Sequence, residues 1–311
     1  MTQSDIENTT ESLRAHAVCD RDDARLVVFG KLHDAELRAC NLKGAGLLDV
    51  REKAPYGLFV AESPRAIECA LRAGIQAFSV LVDEDVAVSQ EHAVLQAAHR
   101  LIDACPEAAL FLVGTEDFCR ITEYPVSRGV MAVFIRPKPK GAEELLASLE
   151  GKGEAAKRVC VIEDVTNYAN MAAIFKSASA FGVDAVLITP SCHDPWYRRC
   201  VRVSQGAVFE VPWAYVGTQE ESGHWSSQGI PLLHEAGYTV VALALKEDAL
   251  PLDDARLKTS ERLAFILGTE GEGLSTRTIA ACDHVAIIPM ANEVDSLNVA
   301  AASAVAFWEL C

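Results

Sequence analysis

The chain has 311 residues, with 28 Lys and Arg against 44 Asp and Glu, so its formal net charge is −16 at pH 7. Half of the residues are hydrophobic, which supplies a buried core and argues against a disordered chain. The acidic balance argues against a protein that coats nucleic acid by bulk charge, so any RNA site must be built locally. No apolar stretch approaches the ~18 residues of a membrane span, and the N-terminus lacks the pattern of a secretory signal. We therefore expect a soluble, cytoplasmic protein, and two domains because one core rarely grows past about 250–300 residues.

The ten cysteines are scattered along the chain, and no two of them form a Cys-x-x-Cys pair. That pair is the common half-site of structural zinc, so the sequence predicts no metal centre. In a reducing cytosol, single cysteines behave as small buried hydrophobes.

Residues 1–24 are polar and are expected to form a solvated tail or a fraying helix. Residues 25–140 predict an N-terminal domain, in which Ser63 and Pro64 begin a helix and Gly74 ends it. The alternation of strands and helices predicts a small α/β domain with a largely parallel sheet. Its predicted strands are 57–61, 78–82, 110–113 and 130–135, and its predicted helices are 65–73 and 92–104.

Residues 141–157 are interpreted as a linker, in which a polar helix over 143–149 leads to two glycines. Residues 158–311 form the second predicted domain, which again alternates strands with helices and is also of the α/β class. Its predicted strands are 159–162, 185–188, 239–243, 264–267 and 285–288, and its predicted helices are 171–181, 229–236 and 297–310.

Three loops of the second domain follow predicted strands: 163–170, 268–275 and 289–298. Ligands gather at the carboxyl ends of the strands in open α/β sheets, so these loops are expected to converge on one pocket. Each loop alone also has a simpler interpretation, because asparagines cap helices and glycines make tight turns. The second loop lacks the Gly-Lys-Ser/Thr ending of a Walker loop, and it lies too late in the chain for a dinucleotide fingerprint.

Together and in this order, the three loops resemble the SpoU (TrmH-like) branch of the knotted SPOUT RNA methyltransferases. The stretch from Asn167 to Lys176 resembles the first family motif, Asn-x-x-Asn-x-Gly-Ala-Ile-x-Arg. Residues 267–275, which read Leu-Gly-Thr-Glu-Gly-Glu-Gly-Leu-Ser, are similar to the second motif throughout. Residues 288–290 and 294–300 are similar to the third.

The resemblance extends to the first domain, because many members carry an N-terminal RNA-binding domain like a small ribosomal protein. Residues 59–65 resemble its Glu-Gly-x-Arg signature, with Ser63 in the glycine position. Arginines near the family-like segment 194–207 offer local phosphate contacts on an acidic protein, although a solvated charged face would give the same pattern. The expected RNA-binding residues are Arg65, Arg198, Arg199 and Arg202, with Arg136, Lys138 and Lys140 as further phosphate contacts.

The resemblance implies a C-terminal trefoil-knotted methyltransferase domain that acts as a homodimer. It implies transfer of the methyl group of S-adenosylmethionine to a ribose 2′-hydroxyl of rRNA or tRNA, with no DNA or membrane partner. Glycines allow close approach of the cofactor, and asparagines can hold loops and substrate through both amide ends. The matching cofactor-binding positions are Leu243, Leu245, Gly268, Thr269, Gly271, Gly273, Ile288, Met290 and Leu297. The matching catalytic positions are Asn170, Lys176, Glu270, Ser296 and Asn298.

The first motif departs from the family at two positions. Lys176 stands where the family has its catalytic arginine, and Ala172 stands at the motif glycine. Lysine offers a point charge instead of a planar fork, and a buried lysine that loses its proton could act as a base. The methyl group of Ala172 could crowd the substrate. A working enzyme, a slow enzyme and a non-catalytic RNA-binding protein of the same fold therefore all remain open, beside a small-molecule enzyme on an ordinary doubly wound sheet.

Overall fold

The computed structural model describes residues 9, 11–14, 16–18, 23–30, 32–39, 48–89, 92–123, 128–150, 157–217, 224–269, 271–292 and 296–311. Contacts within the chain divide it into two units. The first unit consists of residues 1–138 and 196–209, and the second consists of residues 139–195 and 210–311. Segment 196–209, which the sequence assigns to the second domain, thus groups with the first unit.

Strands and helices alternate along most of the chain, as the sequence predicts. The early elements are a 3-10 helix Ala24–Phe29, α1 Asp34–Ala39, α2 Leu48–Lys53, β1 Leu58–Glu62, α3 Pro64–Arg72, β2 Ala77–Asp83, α4 Glu84–Ser89, α5 His92–Ala104, β3 Ala109–Val113, α6 Thr115–Thr122 and β4 Val130–Ile135. The later ones are α7 Ala142–Leu149, β5 Lys157–Ile162, α8 Tyr168–Phe181, β6 Ala185–Ile188, α9 Arg198–Ser204, a 3-10 helix Ala207–Phe209, β7 Trp213–Tyr215, α10 Ser226–Glu235, β8 Thr239–Leu243, β9 Leu250–Pro251, α11 Ala255–Lys258, β10 Arg262–Leu267, α12 Thr276–Ala281, β11 His284–Ile287 and α13 Val299–Leu310.

The sheet of the first unit has the strand order β1-β4-β2-β3 and is mixed, so the prediction of a largely parallel sheet is wrong. Strand β4 runs antiparallel to both β1 and β2, while β2 and β3 are parallel. Val113 at the end of β3 pairs with Asp83, and Val130 at the start of β4 pairs with the adjacent Val82. The chain therefore re-enters the sheet at the end where it left, whereas parallel pairing needs a crossover to the opposite end.

The turn from β1 into α3 forms as the sequence predicts. The Oγ of Ser63 accepts a hydrogen bond from the Ala66 amide at 3.3 Å, and Pro64 follows as the first helical residue. Ser63 has φ 133° and ψ 150°, a region that is essentially restricted to glycine. Ser63 thus takes a conformation that glycine adopts without strain.

Part of the predicted tail over residues 1–24 is packed, so the expectation of a solvated segment is wrong there. Leu13 is only 2% exposed, and the Val18 amide donates to the Leu110 carbonyl at 2.8 Å. Strand β3 forms an edge of the first sheet, and its outer backbone groups accept such pairing. Residues 1–8 lie outside the described part.

The sheet of the second unit is parallel at every described pairing, in the order β7-β6-β5-β10-β8-β11-β9. Helices α8 and α13 pack against each other, and Phe307 of α13 contacts Phe265 of β10 with ring centres 5.4 Å apart. Among the described helices, none has both the length and the apolarity to cross a membrane.

Helix α7 lies within the predicted linker 141–157 but packs into the core of the second unit. Leu145, Leu146 and Leu149 are each 3% exposed or less, and they join the core cluster beneath the sheet. Their spacing places the three leucines on one face of the helix. From its sequence the helix is predicted to be polar because Glu143 and Glu144 stand in its first turn. The linker interpretation is therefore wrong for this helix, and residues 151–156 lie outside the described part.

Candidate active site

One pocket of about 420 Å³ opens at the carboxyl ends of β8, β10 and β11. These strands are neighbours in the parallel sheet, so the loops that follow them lie side by side. All nine predicted cofactor-binding residues line this pocket: Leu243, Leu245, Gly268, Thr269, Gly271, Gly273, Ile288, Met290 and Leu297. Their contact with a cofactor stays a prediction.

The loop after β10 folds back on itself at Gly268. Thr269 and Gly273 form an antiparallel bridge, in which the Gly273 amide donates to the Thr269 carbonyl at 3.1 Å. A Cβ on Gly268 would lie 2.5 Å from the Gly273 carbonyl carbon and oxygen, closer than side-chain atoms approach. Gly268 is therefore needed for the loop's own fold, whereas a Cβ on Gly271 would meet nothing within 4 Å.

Glu163, the residue after β5, anchors this loop. Its side chain is buried, at 3% exposure, and its Oε1 accepts from the Ser275 amide at 2.8 Å. Its Oε2 accepts from the Trp225 indole at 2.6 Å and from the Thr278 hydroxyl at 2.5 Å. Sequence analysis placed Glu163 in the first loop but gave it no role, because its partners lie 62 to 115 residues away.

Asn170 and Asn298 connect the first loop region to the third. The Nδ2 of Asn298 donates to the Oδ1 of Asn170 at 3.2 Å. The Oδ1 of Asn298 caps α13 by accepting from the amides of Ala300 and Ala301 at 3.0 and 3.4 Å. Asn298 thus has the capping role that the simple interpretation predicts. Asn170 is instead buried inside α8, whose cap is Asn167 with its Oδ1 accepting from the Ala169 amide at 2.8 Å. Both amide ends of Asn298 are used.

The structure describes two of the other three predicted catalytic residues. Ser296 lines the pocket. Lys176 is exposed on α8 and does not line it. It follows Asn170 by six residues, which turns it about 120° around the helix and about 9 Å along it. Glu270 lies outside the described residues.

Two expectations about the first motif need correction. The hypothesis of a buried Lys176 as base fails for the single chain, since this side chain is exposed. Ala172 is fully buried in α8, so its methyl group packs in the core and does not reach a substrate. Of the two positions that differ from the motif, only Lys176 is exposed on α8.

The predicted RNA-binding arginines lie in the first unit, and they differ in exposure. Arg198 is only 15% exposed and lies 3.5 Å from the buried carboxylate of Glu62. Arg202 also reaches Glu62, at 3.6 Å, but is 58% exposed. Arg65 and Arg199 are exposed.

The prediction that Arg136 contacts phosphate is wrong. Arg136 is buried and stacks over Trp196, with its guanidinium 5.6 Å from the ring centre. The same tryptophan lies 5.1 Å from the ring of Phe59. These ring contacts explain why segment 196–209 groups with the first unit. Arg136 is therefore a core residue and not a phosphate contact.

A sequence model described as the SpoU rRNA Methylase family matches residues 157–308. An uncharacterized tRNA/rRNA methyltransferase of Mycobacterium tuberculosis is 29% identical over 99% of this chain and 96% of its own length. The 23S rRNA (guanosine-2′-O-)-methyltransferase RlmB of Vibrio vulnificus is 28% identical over 76% of this chain and 94% of its own. An AdoMet-bound rRNA methyltransferase from Sinorhizobium meliloti superposes with a TM-score of 0.66, at 21% identity, over 89% of this chain and 92% of that one. Residues 157–308, which form the pocket and carry the asparagine pair, belong to the SpoU rRNA Methylase family.

Proposed function

We propose that the protein transfers the methyl group of S-adenosylmethionine to a ribose 2′-hydroxyl of RNA, with ribosomal RNA as the favoured substrate. The observation that carries this proposal is one pocket lined by the second and third motif loops and by the segment after β8. The first motif loop does not line it, and it is joined to the other two by the Asn298–Asn170 and Ser275–Glu163 hydrogen bonds. The similar proteins support it, since RlmB of Vibrio vulnificus is named for 2′-O-methylation of guanosine in 23S rRNA.

The pocket fits a cofactor of this size and chemistry. Its volume lies within the range of about 300–1,000 Å³ that is typical of small-molecule sites. Apolar side chains of Leu243, Ile288 and Leu297 supply its walls, and the folded glycine loop supplies backbone groups at close range. S-adenosylmethionine, when bound, supplies an electrophilic methyl group.

Side chains of this protein must hold the substrate and assist proton removal from the ribose hydroxyl. The ribose hydroxyl must lose its proton as its oxygen gains the methyl group, and a neutral amide cannot take that proton. We therefore assign Asn170 and Asn298 to holding loops and substrate. Ser296 lines the pocket, and we assign its hydroxyl, which can donate and accept, to contact with the reacting hydroxyl. Lys176, exposed and cationic, is assigned to an RNA phosphate.

The homodimer and the trefoil knot are part of the same proposal, as are the N-terminal RNA-binding role and the cytoplasmic location. Trp308 of α13 is 73% exposed, and its ring contacts Phe181 of α8 edge-on at 5.9 Å. Val305 on the same helix is 41% exposed. An exposed tryptophan with apolar neighbours is typical of an interface anchor, and we assign this surface to a second copy of the chain. The particle mass in solution tests this assignment.

The non-catalytic alternative keeps one supporting observation, the lysine at position 176. The test is incubation of the purified protein with methyl-labelled S-adenosylmethionine and separate pools of unmodified rRNA and tRNA, with Lys176→Arg in parallel. We expect label in the rRNA pool with the wild type. Label that enters RNA only with Lys176→Arg would identify a binder that has lost the reaction. No label with either variant, despite measured cofactor binding, would contradict the proposed activity.

A further inference from the structure

Glu163 holds both ends of the pocket loop. Its backbone amide donates to the carbonyl of Leu267, the last residue of β10, at 2.8 Å. Its side-chain Oε1 accepts from the amide of Ser275, the first residue after the pocket-lining stretch, at 2.8 Å. One residue directly after a neighbouring strand thus fixes where the loop 268–274 begins and where it ends.

The carboxylate is used as an acceptor at both oxygens. Oε2 receives the Trp225 indole and the Thr278 hydroxyl, and Ser275 Oγ lies 2.8 Å from Thr278 Oγ1. Since the Thr278 hydroxyl proton points to Glu163, the Ser275 hydroxyl donates to Thr278. Burying a carboxylate is costly unless it is fully hydrogen-bonded, and here the described donors satisfy it.

The four residues of this network do not line the pocket: Glu163, Trp225, Ser275 and Thr278. Glu163 and Thr278 bond to Ser275 at the end of the loop, and Thr278 lies in the first turn of α12. The backbone of the loop is constrained, because Gly268 packs directly on the Gly273 backbone. A shift at Ser275 is therefore passed to the glycines that face the pocket.

We propose that Glu163 is a positioning residue that sets the affinity for S-adenosylmethionine by fixing the loop 268–275 in its binding conformation. This inference rests on the proposed function. It requires no contact between Glu163 and the cofactor, and it confines the effect to cofactor binding rather than to the methyl-transfer step.

The test compares Glu163→Gln with Trp225→Phe in the full chain. Glutamine has nearly the same shape, but one of its two terminal groups is a donor. With its oxygen toward Trp225 and Thr278, its NH₂ group faces the Ser275 amide and pushes the loop end away. Trp225→Phe removes a hydrogen bond to the same carboxylate and leaves the Ser275 contact intact, so it serves as the matched control.

We expect Glu163→Gln to weaken binding of S-adenosylmethionine in calorimetry by roughly tenfold or more, the equivalent of one lost charged hydrogen bond. The KM for S-adenosylmethionine rises in proportion, and kcat at saturating cofactor stays within about twofold. We expect Trp225→Phe to keep the wild-type affinity for S-adenosylmethionine, although it unfolds at a lower temperature than the wild type. Wild-type affinity in Glu163→Gln, or an equal loss in Trp225→Phe, would overturn the proposal.

Hydrogen exchange of the loop amides without cofactor separates this inference from the proposed function. Faster exchange over residues 268–275 in Glu163→Gln than in Trp225→Phe supports the positioning role by itself. Unchanged exchange overturns it. A wild-type protein that binds no S-adenosylmethionine overturns the proposed function and the cofactor part of the inference, while the exchange result still decides whether Glu163 holds the loop.

Discussion

The Nδ2 of Asn298 donates to the Oδ1 of Asn170 at 3.2 Å, which joins the start of α13 to the first turn of α8. The same Asn298 side chain caps α13 through its oxygen. Asn298 thus has two roles: it caps a helix, which is structural, and it donates a hydrogen bond to a candidate active-site residue. The two roles can be separated by substitution.

Asn298→Ser is expected to keep the cap and lose the bond to Asn170. Serine and asparagine are comparable N-cap residues, so the free energy of unfolding should change by less than about 0.5 kcal/mol. Methyl transfer should fall at least tenfold, because Asn170 loses its partner. Asn298→Ala, which also removes the cap, should lower the free energy of unfolding by about 0.5–2 kcal/mol. Full activity in Asn298→Ser would show that the asparagine pair has no role in the reaction.

Ser63→Gly is expected to stabilise the first unit. Ser63 has φ 133° and ψ 150°, and such a conformation costs a residue with a side chain about 1–3 kcal/mol. Loss of its cap on α3 costs only a few tenths of a kcal/mol when glycine replaces serine. Urea unfolding should show a gain of roughly 1 kcal/mol. Ser63→Ala keeps the strain and loses the cap, so it should be less stable than the wild type, and a stability equal to that of Ser63→Gly would refute the strain argument.

Gly268→Ala and Gly271→Ala should differ sharply. The new Cβ at position 268 would lie 2.5 Å from backbone atoms of Gly273, and it must displace the loop. We expect a loss of about 1–3 kcal/mol in the free energy of unfolding, together with lost binding of S-adenosylmethionine. At position 271 the Cβ meets nothing within 4 Å, so stability should change by less than about 0.5 kcal/mol. Equal stability of the two variants in thermal melts would contradict the loop geometry.

Arg199→Ala should weaken RNA binding without a change in stability, since Arg199 is exposed. In fluorescence anisotropy with an rRNA fragment, the salt slope should fall by about 1. Arg198→Ala instead removes an ion pair to the buried Glu62 and a bond to the Phe29 carbonyl at 3.3 Å. It should lower the free energy of unfolding by about 1–3 kcal/mol. Unchanged RNA affinity in Arg199→Ala would remove it from the proposed RNA surface.

Stability should fall at high pH in part because of Tyr238. Burial raises the pKa of Tyr238 from 10.0 to about 12, against a smaller opposing effect of Arg262. Between pH 10 and 12 the unfolded chain loses this proton while the folded chain keeps it, so the free energy of unfolding decreases. Burial also raises the pKa of Cys282 to about 12, which acts in the same direction. Urea midpoints at pH 9.5 and 11.5 should differ less in Tyr238→Phe than in the wild type, and an equal fall in both would contradict this assignment.

The pocket could be predicted from the sequence because most of its residues lie in the second and third motifs, each directly after a strand. Apolar runs located those strands, and parallel pairing brings their ends together. The nine individual positions were predicted from the resemblance to the family, and all nine line the pocket. The cap of α3 was equally local, since Ser63 and Pro64 are adjacent to the helix that they begin.

Long-range packing explains what the sequence did not show. The insertion of β4 between β1 and β2 depends on where α6 returns the chain, and that is not encoded in any local pattern. Glu163 looked like one more polar loop residue until Ser275 and Trp225 were brought to it. The burial of Ala172 and the exposure of Lys176 likewise depend on which faces of α8 the sheet and α13 cover.

The position of the methyl group on RNA distinguishes transfer to the ribose 2′-hydroxyl from every other reaction. Wild-type protein and Asn298→Ser would each be incubated with S-adenosylmethionine and unmodified rRNA, and the RNA would be digested to nucleosides for mass spectrometry. We expect a 2′-O-methylnucleoside in the wild-type reaction and at least tenfold less of it with Asn298→Ser. A methyl group on a base, or no methylated nucleoside from a wild-type protein that binds the cofactor, would contradict the proposed function.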